Sequence, residues 1–177
     1  HLGVPVTARE IVLRKCGQTE PIQFSQCFTD SILQNCQKIG EGLYGEVFLV
    51  KNPDGDTSVL KIIPVEGDQT VNGKRQKKFE EVLSEIVITT ELSNLRHNKR
   101  NGISSFIEVQ KIRCVQGTYP GKLIDLWDPF DETIGSENDC PDMFKEDQLY
   151  IVSQMAYGGK DLESNVEINR STYLQKV

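Results

Sequence analysis

The fold turns on Lys38-Ile39-Gly40-Glu41-Gly42-Leu43-Tyr44-Gly45-Glu46-Val47-Phe48-Leu49-Val50. Three glycines at the spacing Gly40-x-Gly42-x-x-Gly45 lead into a β-rich run. In a dinucleotide-binding unit such glycines join a strand to a helix, whose N-terminus then meets the pyrophosphate. Here Val47 to Val50 run instead into Asn52-Pro53-Asp54-Gly55-Asp56, where Asp54-Gly55 favours the positive φ of a tight reversal. Thr57-Ser58-Val59-Leu60-Lys61-Ile62-Ile63 then reads as another strand. The pattern predicts a three-stranded antiparallel meander with glycines at its first bend. A Walker-type loop would end in Gly-Lys-Ser/Thr, which this stretch lacks.

One nucleotide-binding design does place the spacing on a hairpin: the protein-kinase loop Gly-x-Gly-x-x-Gly-x-Val, which covers the ATP phosphates. Glycine lets the backbone N–H groups come close to phosphate oxygens, and Val47 would cover the adenine. An ordinary glycine-rich hairpin fits the same spacing, so the surrounding elements decide. A kinase needs a fixed cation on the third strand and a carboxylate partner on the following helix. Lys61 stands on that strand. Lys74 to Leu95 predicts a long helix, with Phe79, Val82, Leu83 and Ile86 at helical spacing and Ile88, Leu92 and Leu95 on the opposite side. Two apolar faces mean burial from two sides. Glu85 lies beside the first stripe and can face a sheet, whereas Glu80 and Glu81 suit solvent. Alternation around Phe106, Val109, Ile112 and Val115 predicts a strand over 104–116. Pro120 suits a helix start, followed by the stripe Leu123, Leu126, Trp127 and Phe130. Leu149 to Met155 predicts a last strand, broken at Gly158-Gly159, as in a link that hinges two lobes around an adenine.

Upstream, Ala8 to Lys15 predicts a short helix, capped by Thr7 and stopped at Gly17, and Phe28 to Cys36 another, capped by Thr29 or Asp30. Five widely spaced cysteines without a Cys-x-x-Cys, and only two histidines, argue against zinc and disulfide frameworks and for a reducing compartment. The 177 residues carry 20 Lys+Arg against 26 Asp+Glu, a net charge of −6, which disfavours nucleic-acid binding. That charge is localised: residues 128–147 hold eight acids and one base, Lys145. It reads as a solvated insert or, more sharply, as a field that steers a basic peptide. No apolar run reaches the ~18 residues of a membrane-spanning helix.

The chain resembles the haspin family of atypical eukaryotic protein kinases. The matching stretches are residues 38–48, Leu60-Lys61-Ile62-Ile63, Glu66-Gly67 with Val71-Asn72-Gly73, residues 79–86, Cys114-Val115-Gln116-Gly117-Thr118-Tyr119-Pro120, residues 147–152 and Gly158-Gly159-Lys160-Asp161-Leu162-Glu163. The glycine loop and Lys61 are common to kinases, and the other motifs are closer to haspin. The resemblance runs from about Gly17 to Glu163. It implies an α+β kinase small lobe: a five-stranded antiparallel sheet with a long C-helix over residues 37–157, an N-terminal extension over 1–36, a helical and acidic insert at about 118–147, and a hinge exit over 158–177.

It also implies site roles. Ile39, Gly40, Glu41, Gly42, Leu43, Tyr44, Gly45 and Val47 would surround ATP from the loop side, with Val59 narrowing the adenine slot. Lys61 would hold the phosphates and pair with Glu85. Met155 would be the gatekeeper, Ala156, Tyr157, Gly158 and Gly159 the hinge, and Asp161 the ribose contact. The implied partners are ATP with magnesium and a core histone tail phosphorylated on threonine in mitosis, with the protein a monomer in the nucleus, on chromosomes or in the cytoplasm, and no membrane contact. His97 is followed by Asn98-Lys99 rather than Arg-Asp, and no Asp-Phe-Gly occurs. The catalytic loop and metal ligands are therefore expected in a large lobe outside this sequence, which opens on His rather than Met. The alternative is a truncated module that binds nucleotide or scaffolds a partner.

Overall fold

The computed structural model describes residues 3–86 and 108–156. Its centre is a six-stranded mixed sheet of β1 (Ile22–Gln23), β2 (Cys36–Glu41), β3 (Glu46–Lys51), β4 (Thr57–Val65), β5 (Glu108–Gln116) and β6 (Leu149–Ala156), arranged in the order β1-β5-β6-β4-β3-β2. Strands β2, β3 and β4 form the expected antiparallel meander. Strand β6 lies antiparallel between β4 and β5. The expected antiparallel five-stranded sheet needs one correction. Pro21 starts a short extended run, β1 (Ile22–Gln23), which adds parallel to β5 at Val115 and Gln116 and makes the sheet six-stranded and mixed. Helix α1 (Ala8–Lys15) and the residues after it therefore pack into the fold, through Val12, Leu13, Cys16, Phe24 and Phe28.

Alternation along the strands gives the sheet two faces. One buries Phe48, Val50, Leu60, Ile62, Val115, Tyr150 and Val152. Phe24 of α2 (Phe24–Cys27), Tyr119 and Phe144 close over Tyr150, with ring centroids 4.8, 5.8 and 5.5 Å away. The other face carries Ile63, Val65, Cys114 and Ile151 under helix α4, described over 79–86, together with α1 (Ala8–Lys15). Phe79, Val82 and Ile86 are buried there beside Val12 and Leu13. The Thr7 hydroxyl caps α1 by accepting from Glu10 N–H, and Gly17 follows at φ +70°.

Three helix expectations change. Helix α3 (Asp30–Gln34), capped by Thr29, is shorter than predicted because Cys36 already belongs to β2. Helix α4 starts at residue 79, not 74: Lys74 and Lys77 are held in bridges to Val71 and Val65, and the Glu66 carboxylate accepts from Phe79 N–H at 2.7 Å. The helix predicted after Pro120 divides into α5 (Gly121–Asp125) and α6 (Trp127–Thr133) around Leu126. Pro129, in the first turn of α6, has no N–H for the Asp125 carbonyl, so an unbroken ladder is excluded. Residues 87–95 of the predicted helix and 104–107 of the predicted strand lie outside the described residues. No described helix is long and apolar enough to cross a membrane. All five cysteines are free thiols, and burial pushes the pKa of Cys114 up to about 12.

Candidate nucleotide site

Four of the predicted adenine-side residues, Ile39, Val47, Val59 and Met155, meet in one apolar cluster with Leu49. The sheet register explains this. Val59 pairs with Met155 on one side and Leu49 on the other, while Val47 pairs with Lys61. Residues two apart share a face, so Lys61 stands next to Val59 on the same surface. The patch and the cation are therefore placed by strand pairing, not by loops.

Lys61 reaches beneath the glycine loop: a Cβ built on Gly42 would lie 3.6 Å from its Cε and 3.9 Å from its Nζ. Burial pushes the Lys61 pKa down, the negative charge of Glu85 pulls it up, and the positive charge of Lys77 lowers it further. Glu85, on α4, also accepts from Lys77 Nζ. Lys77 in turn sits 4.2 Å from the Tyr44 ring centroid, a distance at which a cation is attracted to a ring face. The loop, the helix carboxylate and the strand lysine thus form one electrostatic group.

The glycines have separate tasks. A register shift between Lys38 and Gly40 makes a bulge at Ile39. Gly42 N–H donates to Gly45 C=O at 2.8 Å, which closes the bend. The N–H groups of Leu43, Tyr44 and Gly45 have no acceptor among the described residues, so they remain able to receive an anion. Gly45 is required by packing: a Cβ there would overlap the Ile62 carbonyl and lie 2.9 Å from its carbon. Gly45→Ala is expected to cost about 1–3 kcal/mol by forcing β3 from β4. Thermal melts check this, and an unchanged midpoint would refute the close approach.

A buried charge cluster lies behind the loop and was not foreseen from sequence. Lys38 Nζ pairs with Glu41 at 2.6 Å and with Glu46, and these side chains are 1%, 8% and 7% exposed. The ammonium also stands 4.4 Å from the Phe130 ring centroid on α6. Glu46 has its pKa raised, chiefly by burial, against the lowering by Lys38 and Asn138. Asn138 Nδ2 donates to Gly42 O, Gly45 O and Glu46 Oε1 at 3.1, 3.3 and 3.1 Å. One signal pointed to this: Lys38 is the polar residue at an inward position of β2, on the face of its partner Phe48. Asn138 left no such signal, because it lies in an irregular segment.

Ala156 ends β6 opposite Ser58 and Glu108. Tyr157, Gly158, Gly159 and Asp161 lie outside the described residues. No group of side chains that could hold a metal ion occurs among the described residues.

The chain was compared with known proteins. A family profile described as "Haspin like kinase domain" matches residues 6–177. "Serine/threonine-protein kinase haspin" of Mus musculus is 47% identical over 154 residues, which cover 87% of this chain and 20% of that protein. The Bos taurus protein of the same name is 48% identical over 150 residues, 84% of this chain and 19% of that protein. "Serine/threonine-protein kinase haspin homolog" of Drosophila melanogaster is 41% identical over 160 residues, 86% of this chain and 28% of that protein. The chain therefore spans between 19% and 28% of the length of these relatives. With the profile covering nearly every residue, the chain belongs to the haspin-like kinase domain family.

Proposed function

We propose that these residues form the ATP-binding lobe of a haspin-type serine/threonine kinase. The observation that carries this is the shared sheet face on which the apolar patch of Ile39, Val47, Val59 and Met155 adjoins the half-buried Lys61. The patch offers a flat apolar seat for a purine. The Lys61 ammonium lies where the phosphates would follow, beneath loop N–H groups that can receive their oxygens. Glu85 acts through Lys61, its negative charge favouring the ammonium form against burial. Phosphoryl transfer also needs a base for the substrate hydroxyl and carboxylates for the metal. His97-Asn98-Lys99 does not supply them, so we assign those roles, and the magnesium, to a second lobe. For the acceptor we propose a threonine of a core histone tail on mitotic chromosomes in the nucleus, with the acids of residues 128–147 favouring the approach of a basic peptide.

The direct test is affinity labelling with fluorosulfonylbenzoyl adenosine, whose electrophile sulfonylates an amine beside a bound adenosine. Peptide mapping is expected to find the label on Lys61, with ATP suppressing it. A label spread over surface lysines and insensitive to ATP would overturn the assignment.

A further inference from the structure

The acidic segment after α6 folds back onto the glycine loop and holds it from behind. Ser136 Oγ and Glu137 N–H both donate to the Glu41 carboxylate, the latter at 3.0 Å. Asn138 then directs its side-chain amide at the two carbonyls that flank the bend, Gly42 O and Gly45 O, and at Glu46. An amide has two hydrogens, so three acceptors share them, and the group can only sit where the loop presents those carbonyls together. Asp139 completes the contact from the next position. Its N–H donates to Asn72 Oδ1 at 2.7 Å while its carboxylate accepts from Asn72 N–H at 2.8 Å. Asn72, held at φ 55°, passes its own side-chain amide to Leu43 O at 3.2 Å. The loop tip is thus tied through Asn72, and its base through Asn138.

Resting on the reading of the loop as a nucleotide cover, we propose that the 136–139 segment is a latch that sets the glycine loop in its binding shape, with Asn138 as its positioning residue. A free glycine-rich loop loses much conformational freedom when it closes over a ligand, and affinity falls accordingly. A loop whose carbonyls are already fixed loses less. On the loop the latch engages only carbonyl oxygens and carboxylates, so it does not use the Leu43, Tyr44 and Gly45 N–H groups. Several acids of this insert also have structural partners, as with Asp131, which accepts from Ser136 N–H at 2.8 Å.

The test uses the full-length kinase with Asn138→Ala and, separately, Asn72→Asp, which keeps the acceptor for Asp139 N–H but replaces the donor to Leu43 O with a carboxylate, so each variant is measured at low and at high salt to screen the added charge. Kd for ATP is measured by calorimetry, kcat and KM by peptide phosphorylation, and fold by thermal melting. Both variants are expected to stay folded. Kd and KM for ATP should rise about tenfold for Asn138→Ala and about threefold for Asn72→Asp, while kcat at saturating ATP changes by less than about twofold. Folded variants that bind ATP like the wild type would overturn the latch and leave the nucleotide reading standing. A wild-type protein that does not bind ATP would overturn both. If Asn138→Ala fails to fold, the Asn72→Asp ratio decides by the same criterion.

Discussion

Lys61→Met is expected to reduce phosphoryl transfer by the full-length kinase by about two to three orders of magnitude, the usual loss when a preorganised charge is removed from a transition state. The reason lies in the position of this lysine. Its Nζ is near Gly42, on the strand face that continues the apolar patch, so on the proposed reading it would meet phosphate when adenine fills that patch. Burial makes the ammonium costly without a ligand, since its pKa is already lowered, chiefly by desolvation. Methionine has similar length and no charge to bury. The ligand-free melting temperature of Lys61→Met should therefore equal or exceed that of the wild type, while the rise on adding ATP is lost. That opposite movement separates a lost phosphate contact from a damaged fold. Wild-type transfer rates from the variant would refute the assignment of Lys61, and a ligand-free melt well below wild type would refute the account of its burial.

The same lysine carries a pH signature. A cation whose pKa is lowered on folding favours the folded state most at alkaline pH, and that contribution is lost as pH falls through its folded pKa. Lys61→Met removes this dependence. The variant's stability advantage over wild type should therefore be largest near neutral pH and shrink as pH approaches the ordinary lysine range, near ~10.4.

Much of this site was legible in the sequence because its parts are local. The glycine spacing, the Asp54-Gly55 turn and the alternation in β3 and β4 together specify a meander, and pairing then sets Val47, Val59 and Lys61 on one face. The first helix was legible from Thr7 and Gly17 for the same reason. What escaped is non-local. The two-residue β1 has too few residues to show a period, and it exists through its pairing with Val115 and Gln116. The buried charges of Lys38, Glu41 and Glu46 look like ordinary surface residues until the bulge at Ile39 brings Lys38 and Glu41 to the same side. Asn138 bonds the loop across more than ninety residues of chain. The acidic insert read as solvated or steering, and neither reading contained its contact with the glycines.

Lys38→Met should cost about 3–5 kcal/mol of stability near neutral pH, because it leaves two buried carboxylates without their cation. Glu41 and Glu46 are directly opposed across β2 and β3, and both side chains are nearly inaccessible. With Lys38 present, its ammonium lies between them and over the Phe130 ring. Without it, like charges face each other at a spacing where repulsion is strong. For a protein of this size the midpoint of melting should fall by roughly 10 °C. The loss must depend on pH in a definite direction. Glu46 already has a raised pKa in the folded state, so its contribution to stability is full below the unfolded value and declines as pH rises through the folded one. Removing Lys38 takes away the main influence that lowers this pKa, so the decline becomes deeper and extends to higher pH. The gap between variant and wild type should therefore be wide at about pH 7.5 and narrow at about pH 5, where protonation relieves the repulsion. Combining Lys38→Met with Glu41→Gln and Glu46→Gln removes every charge of the cluster and should restore most of the lost stability. Denaturant titrations of the two variants at both pH values make the comparison. A single variant as stable as wild type at pH 7.5, or a triple variant no better than the single one, would show that the cluster is not held by its charges.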